Sequence, residues 1–310
     1  MKSVKIAILG LGGVGGYYGG KLAKRYETSS NIEIYFIARG QHLQAIREHG
    51  IHIINENEDF FAKPTLATSD AAEIGPVDFM VITTKSYDLK SSIEQIRPCI
   101  DRNTVILPLL NGGDITERIR EILPDNTVWS GYSYIVSRRT EPGVIRTSGP
   151  FLRLVFGYDG GSDKRLSAFE TLLHEAEIDA HYSVNIRQSV WKKFFFISVS
   201  ASLTSYLNVG FNELTDPDER RNLTADVAEE FLKVARAEGI NFEGNPTEEI
   251  INRMEALPAG STASMHSDFK SGGRTELETL TGMVVRLAHK HNIPVPLYEN
   301  IYSELKNRQT

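Results

Sequence analysis

Three groups of residues in this 310-residue chain could do chemistry by their type and spacing. The first is Gly10-Leu11-Gly12-Gly13-Val14-Gly15, a G-x-G-x-x-G run placed directly after the apolar stretch Ile6–Leu9 and before a helix-length segment. Gly10 permits a tight turn, Gly12 lets the backbone approach a pyrophosphate, and Gly15 lets the helix pack closely on the strand. Phosphates then sit at the helix N-terminus, where free N–H groups and the helix dipole favour anions. The second group is Lys85 and Asn111, which follow the apolar runs Phe79–Thr84 and Thr104–Leu110. Ligands of open α/β sheets bind there, beyond the carboxyl ends of the strands. A lysine so placed reaches cofactor phosphate or ribose oxygens, and an asparagine amide serves a nicotinamide ribose or a substrate carbonyl. Each also has an ordinary role, as a solvated loop charge or as part of an Asn-Gly turn. The third group is Val190-Trp191-Lys192-Lys193-Phe194, at the start of a long apolar segment. Successive helical positions point about 100° apart, so at most one of the two lysines faces the aromatic side, and the other can snorkel to water. A lysine facing a cleft is a general acid for a carbonyl that becomes an alkoxide. Burial lowers its pKa, and a neighbouring carboxylate helps keep it protonated. Glu276 could be that carboxylate, or it could simply be an acidic residue in a first helical turn.

Such residues must be positioned by alternating strands and helices. Ile32–Ala38 predicts a second buried strand with Arg39 at its end, and no carboxylate lies between Tyr35 and Gln41. An NAD site usually places an acid here for the ribose 2′-hydroxyl, whereas an arginine accommodates a 2′-phosphate. NADP(H) is therefore expected, rather than NAD(H) or FAD. Further strands are expected at Asp78–Thr84, Thr104–Leu110 and Thr127–Val136. Helices are expected at Leu43–His49, Leu89–Ile96 and Ile115–Ile122 between them. This alternation predicts an α/β fold with a Rossmann-type doubly wound parallel sheet. Val144–Thr147 and Leu152–Phe156 suggest a hairpin at the sheet edge, followed by a helix over Lys164–Ala176. Beyond about residue 183 the pattern becomes helical, with helices expected at Ser189–Tyr206, Arg220–Glu238, Thr247–Met254, Thr275–His291 and Leu297–Lys306. Two domains follow, an NADP-binding one over 1–183 and an all-helical substrate and catalytic one over 184–310, with the site expected in the cleft between them.

Composition sets limits on partners. The chain is 41% hydrophobic and 24% charged with a net charge of −6, ordinary for a globular protein, and it has no basic block to suggest nucleic acid or an anionic membrane. The single cysteine, Cys99, allows no internal disulfide and fits a reducing compartment as a buried or semi-buried structural thiol. The first strand begins almost at once, so no signal peptide is expected. The apolar stretch Phe194–Leu203 is short and interrupted by serines, so no membrane span is expected. A cytoplasmic location is therefore expected. His289 and His291 are two apart, which is poor ligand spacing on a helix, and the other histidines are scattered, so no metal site is expected.

With these residues assembled, the chain resembles the ketopantoate reductase family (2-dehydropantoate 2-reductases) over essentially its whole length. The matching stretches are Gly10–Gly15, Ala38-Arg39-Gly40-Gln41-His42-Leu43, Thr84-Lys85, Leu110-Asn111-Gly112 and Trp191-Lys192-Lys193-Phe194. They continue with Ser264-Met265, Asp268, Arg274-Thr275-Glu276-Leu277-Glu278, Gly282 and Asn292-Ile293-Pro294-Val295-Pro296. The resemblance implies NADPH-dependent reduction of 2-dehydropantoate to (R)-pantoate, a step toward coenzyme A. The expected partner is a small 2-oxo acid substrate, with no nucleic acid and no membrane, and a monomer or homodimer is expected. It implies that Lys193, not Lys192, donates the proton, that Asn111, Lys85 and Glu276 contact cofactor and active site, and that Ser264 contacts substrate. The family usually carries asparagines where this chain has Ile197, Ala201, Phe211 and Thr281. A pocket short of amides should discriminate poorly for a polar substrate. Either Ser198, Ser202, Asn208 and Tyr206 rebuild the pocket, or the substrate is a less polar 2- or 3-oxo acid. A non-catalytic NADP-binding redox sensor is a third possibility, although a sensor would need neither Lys193 nor Glu276.

Overall fold

The computed structural model describes residues 3–309. The chain alternates β1 (Val4–Leu9), α1 (Gly13–Tyr26), β2 (Ile32–Ile37), α2 (Gly40–His49), β3 (Ile51–Ile54), β4 (Asp59–Ala62), β5 (Leu66–Thr68), β6 (Phe79–Ile82), α3 (Leu89–Ile96), β7 (Val105–Pro108), α4 (Ile115–Ile122) and β8 (Thr127–Val128). Then come β9 (Ser130–Glu141), β10 (Val144–Gly157), α5 (Arg165–Glu175) and β11 (Ala180–Tyr182). The first sheet is six-stranded and parallel in the order β5-β2-β1-β6-β7-β8, which is the doubly wound arrangement expected. Its central strands are apolar on both faces where they are buried, as at Ile6–Leu9, Ile34–Ile37 and Phe79–Ile82, because both faces are covered. Ile6, Ile8, Phe36 and Val81 join one core, while Ala7, Leu9, Ile37 and Met80 join the core on the opposite face with α3 and α4.

A second sheet was not expected. It runs β11-β10-β3-β4, with β9 paired antiparallel to β10. The expected strand over Thr127–Val136 is in fact two, with β8 in the first sheet and β9 in the second. The two pieces of the expected edge hairpin are one strand, β10, whose pairing with β9 is irregular between Ser148 and Arg153. The second sheet explains the glycine-rich helix α1, whose composition is poor for a helix. A Cβ at Gly16 or Gly20 would lie 2.6–2.7 Å from Ile145 or Ile53 of that sheet, and one at Gly19 would lie 3.0 Å from Phe36 of the first. The helix is tightly sandwiched between two sheets, so its packing compensates for its weak propensity.

The chain divides into two units. One comprises the chain up to Leu110 together with Ile115–Arg187, and the other comprises Asn111–Asp114 and the chain from Gln188 onward. The second unit is built from α6 (Ile186–Leu207), α7 (Asp218–Ala237), α8 (Pro246–Glu255), α9 (Ser264–Lys270), α10 (Leu277–Leu280), α11 (Gly282–Lys290) and α12 (Pro296–Asn307). Helix α9 was not expected, and the single helix expected over Thr275–His291 is two, broken at Thr281. One apolar core, including Phe194, Phe195, Phe231 and Tyr298, holds these helices together. Among the described residues no helix is long and apolar enough to cross a membrane, and no cluster of His, Cys, Asp and Glu could hold a metal ion.

Candidate active site

In the sheet unit, the turn after β1 is shaped by its glycines. Gly10 has φ +88°, and a Cβ there would press on Thr84 at 3.0 Å. A Cβ at Gly15 would collide with the Thr83 hydroxyl and the Gly10 carbonyl. That hydroxyl donates to the Leu9 carbonyl at 3.0 Å and also to that of Gly10, so the glycine loop is tied to the strand beside it. Gly13 is needed for a reason the sequence did not show, because a Cβ would run into the Ser137 backbone of β9. The Ser137 hydroxyl donates to the Gly13 carbonyl at 2.9 Å. A Cβ at Gly12, by contrast, would meet nothing within 4 Å, so this side of the loop is open. The first turn of α1 holds no acidic residue to offset its dipole, and the Thr84 hydroxyl is buried beside the loop with no hydrogen-bond partner. These features suit the pyrophosphate of a dinucleotide.

Arg39 is exposed and immediately precedes α2, at the rim of a depression of about 370 Å³. His42, buried one turn along, accepts from the Gly143 N–H through Nδ1 at 2.8 Å, so its proton sits on Nε2 and is donated to the Leu11 carbonyl at 2.7 Å. Burial is the main cause holding its pKa below the usual histidine value, which keeps it neutral. Val14 is half-buried in the first turn of α1. Lys85 is half-buried after β6 and opens a short turn over Ser86–Asp88.

In the helical unit, the structure separates the two lysines. Lys192 is exposed and Lys193 is only 8% exposed. The Lys193 ammonium donates to Asn111 Oδ1 at 2.9 Å. Burial pushes the Lys193 pKa down to about 8. The buried Glu276, just before α10, works against that shift, and Arg253 of α8 adds to it. The Arg253 guanidinium lies over the Phe196 ring at 4.4 Å. Gly113 lets the Asn111 loop close on α6, since a Cβ there would lie 2.8 Å from the Phe194 ring. At neutral pH this group presents a mostly protonated ammonium, held by an amide oxygen and balanced by a carboxylate, which equips it to donate a proton.

Ile197 (half-buried) and Ala201 (buried) lie one and two turns along α6 from Lys193. Ser264 is exposed at the start of α9. The polar side chains considered as replacements for missing amides are used elsewhere. Ser198 donates to the Leu280 carbonyl at 2.6 Å and lies 2.9 Å from the Tyr298 hydroxyl, while Ser202 bonds Thr281 at 2.7 Å. Asn208 bonds His266, and Tyr206 accepts from Asn300. The structure thus brings Lys193, Asn111 and Glu276 together in one unit and gathers the glycine loop, Arg39 and Lys85 in the other. Arg139, Arg253 and the hidden contacts of Ser137 and Thr84 were not anticipated. Strand pairing and helix packing place them, and no local motif marks them.

A parallel doubly wound sheet with a glycine-rich turn after its first strand defines the class of dinucleotide-binding Rossmann-type proteins. The family model for ketopantoate reductase PanE/ApbA matches residues 6–160, and the model for its C-terminal domain matches residues 185–309. The chain belongs to the ketopantoate reductase family. The crystal structure of the 2-dehydropantoate 2-reductase from Porphyromonas gingivalis W83 is similar at a TM-score of 0.86 and 35% identity, over 98% of this chain and 99% of that one. The 2-dehydropantoate 2-reductase of Halobacterium salinarum is 27% identical over 96% of both chains. A D-mandelate dehydrogenase solved with NADH and anilino(oxo)acetate is similar at a TM-score of 0.84 and 25% identity, over 99% of this chain and 98% of that one.

Proposed function

We propose that this oxidoreductase catalyses the NADPH-dependent reduction of a 2-oxo acid to the 2-hydroxy acid, with 2-dehydropantoate and (R)-pantoate as the pair named by its family. The observation that carries this reading is the buried Lys193 on Asn111, with Glu276 beside it. When bound, NADPH supplies the hydride that the substrate C2 receives. Lys193 gives its proton to the carbonyl oxygen as that oxygen becomes an alkoxide, then regains one from solvent. Asn111 holds the ammonium in place, Glu276 favours its charged form, and the positive charge of Arg253 favours an anionic substrate. Gly10–Gly15, Arg39 and Lys85 hold the coenzyme, and Ser264 contributes to substrate binding. The reading includes action in the cytoplasm by a monomer or homodimer.

A second reading is a less polar 2-oxo acid. It is supported by Ile197 and Ala201 in place of amides and by the engagement of Ser198 and Ser202 within the helical core. The similar D-mandelate dehydrogenase, solved with anilino(oxo)acetate, points the same way. The test is NADPH oxidation with 2-dehydropantoate beside a panel of 2-oxo acids bearing aliphatic and aromatic side chains. Turnover of at least one is expected, together with a loss of about 10²-fold or more in Lys193→Ala. Undiminished turnover in that variant would remove the mechanism. The ranking of the panel decides between the two substrates.

A further inference from the structure

The depression beside Arg39 has a second cationic wall. Arg139, near the end of β9, faces it together with Arg39, His42 and Glu141. Among the described residues neither guanidinium makes an ion pair or a side-chain hydrogen bond, although the chain carries 40 carboxylate side chains against 34 lysines and arginines. The two arginines are held at one place from separate elements. Arg39 is fixed at the junction of β2 and α2. Arg139 is fixed by its pairing opposite Ile145 of β10, whose Ile53 and Arg146 neighbours join it to β3. His42 links these parts, because it donates to the glycine loop at Leu11 and accepts from Gly143 at the turn between β9 and β10. The coenzyme's adenosine ribose is expected at the end of β2, next to that loop.

We infer that Arg39 and Arg139 form a two-sided clamp for the 2′-phosphate of the coenzyme, with His42 as the positioning residue that holds the hairpin turn against the glycine loop. The inference rests on the NADP assignment proposed above and adds a residue to it. A phosphate monoester carries close to two negative charges and three acceptor oxygens, and planar guanidinium forks match it well. Glu141 is the one carboxylate of this wall. It leaves the site net positive while opposing the phosphate, so it is expected to limit affinity rather than create it.

The test is calorimetric binding of 2′,5′-ADP, 5′-ADP, NADP+ and NAD+ to the full-length protein, with no turnover involved. Wild type should bind 2′,5′-ADP more tightly than 5′-ADP. Arg139→Ala should weaken 2′,5′-ADP by about 10- to 100-fold, the scale of a lost charge-assisted contact, and leave 5′-ADP within about 2-fold. Arg139→Lys should recover part of the loss, and Glu141→Gln should tighten 2′,5′-ADP. His42→Ala should narrow the NADP+ to NAD+ ratio, and His42→Gln, which keeps one donor and one acceptor, should restore it. If Arg39→Ala weakens 2′,5′-ADP while Arg139→Ala does not, the clamp is wrong and the NADP assignment stands. If wild type shows no preference for the 2′-phosphate at all, both fall.

Discussion

The chemistry of single residues turns on one ammonium and its surroundings. Lys192 and Lys193 have the same side chain and adjacent positions, yet one is in water and the other is buried on Asn111. Burial brings the Lys193 pKa down to about 8, near the working range. A general acid must carry its proton, so activity should be full below about pH 8 and fall about tenfold per unit above it as Lys193 deprotonates. In Glu276→Gln the carboxylate that opposes the drop is removed, and the alkaline limb of kcat/KM should move to lower pH. A limb that stays in place would show that Glu276 does not act on the lysine. The register of these lysines was legible only through family resemblance, because helical geometry says that at most one of them faces inward and not which one.

At the scale of elements, several helices depend on distant partners. The amides opening α12 are satisfied from α7, where the buried Glu230 carboxylate accepts from Leu297 N–H at 3.0 Å and from Tyr298 N–H at 2.9 Å. Glu230→Ala would leave both donors without that acceptor and should cost about 2–4 kcal/mol of stability, read as a lower urea midpoint at unchanged slope. A cost below about 0.5 kcal/mol would mean that water or another group takes over the cap. The sequence showed α12, expected at Leu297–Lys306, but gave no sign of this cap, since Glu230 lies 67 residues away from the first amide it receives. Elements with long regular spacing were legible, and α3 and α4 fall at the expected bounds. The strands β3, β4, β5 and β11 were not, because each is three or four residues long and shows too little alternation to mark it.

At the scale of the molecule, each unit holds one of the two tryptophans. Trp129 is packed with Phe79, Phe156 and Phe169 in the sheet unit, and Trp191 with Phe194 and Phe231 in the helical unit. Fluorescence of Trp191→Phe therefore follows the first unit, and that of Trp129→Phe follows the second. The proposed glycine-loop and arginine contacts all lie in the sheet unit. NADP+ at about a hundred times its Kd, worth about 2.7 kcal/mol, should then raise the Trp129 transition by about 5–10 °C and the Trp191 transition by less. A larger shift at Trp191 would contradict that allocation of coenzyme contacts.

The sequence by itself determined the Rossmann-type sheet, the change to helices near residue 183, the glycine loop and the candidate residues at strand ends. These features are written in local periodicity and in residues whose backbone geometry is special. Tertiary structure alone decided that Ser198 and Ser202 serve the core, and that Arg139 of one hairpin stands with Arg39. Each of these depends on which distant segments pack together, and nearest-neighbour patterns carry no record of that.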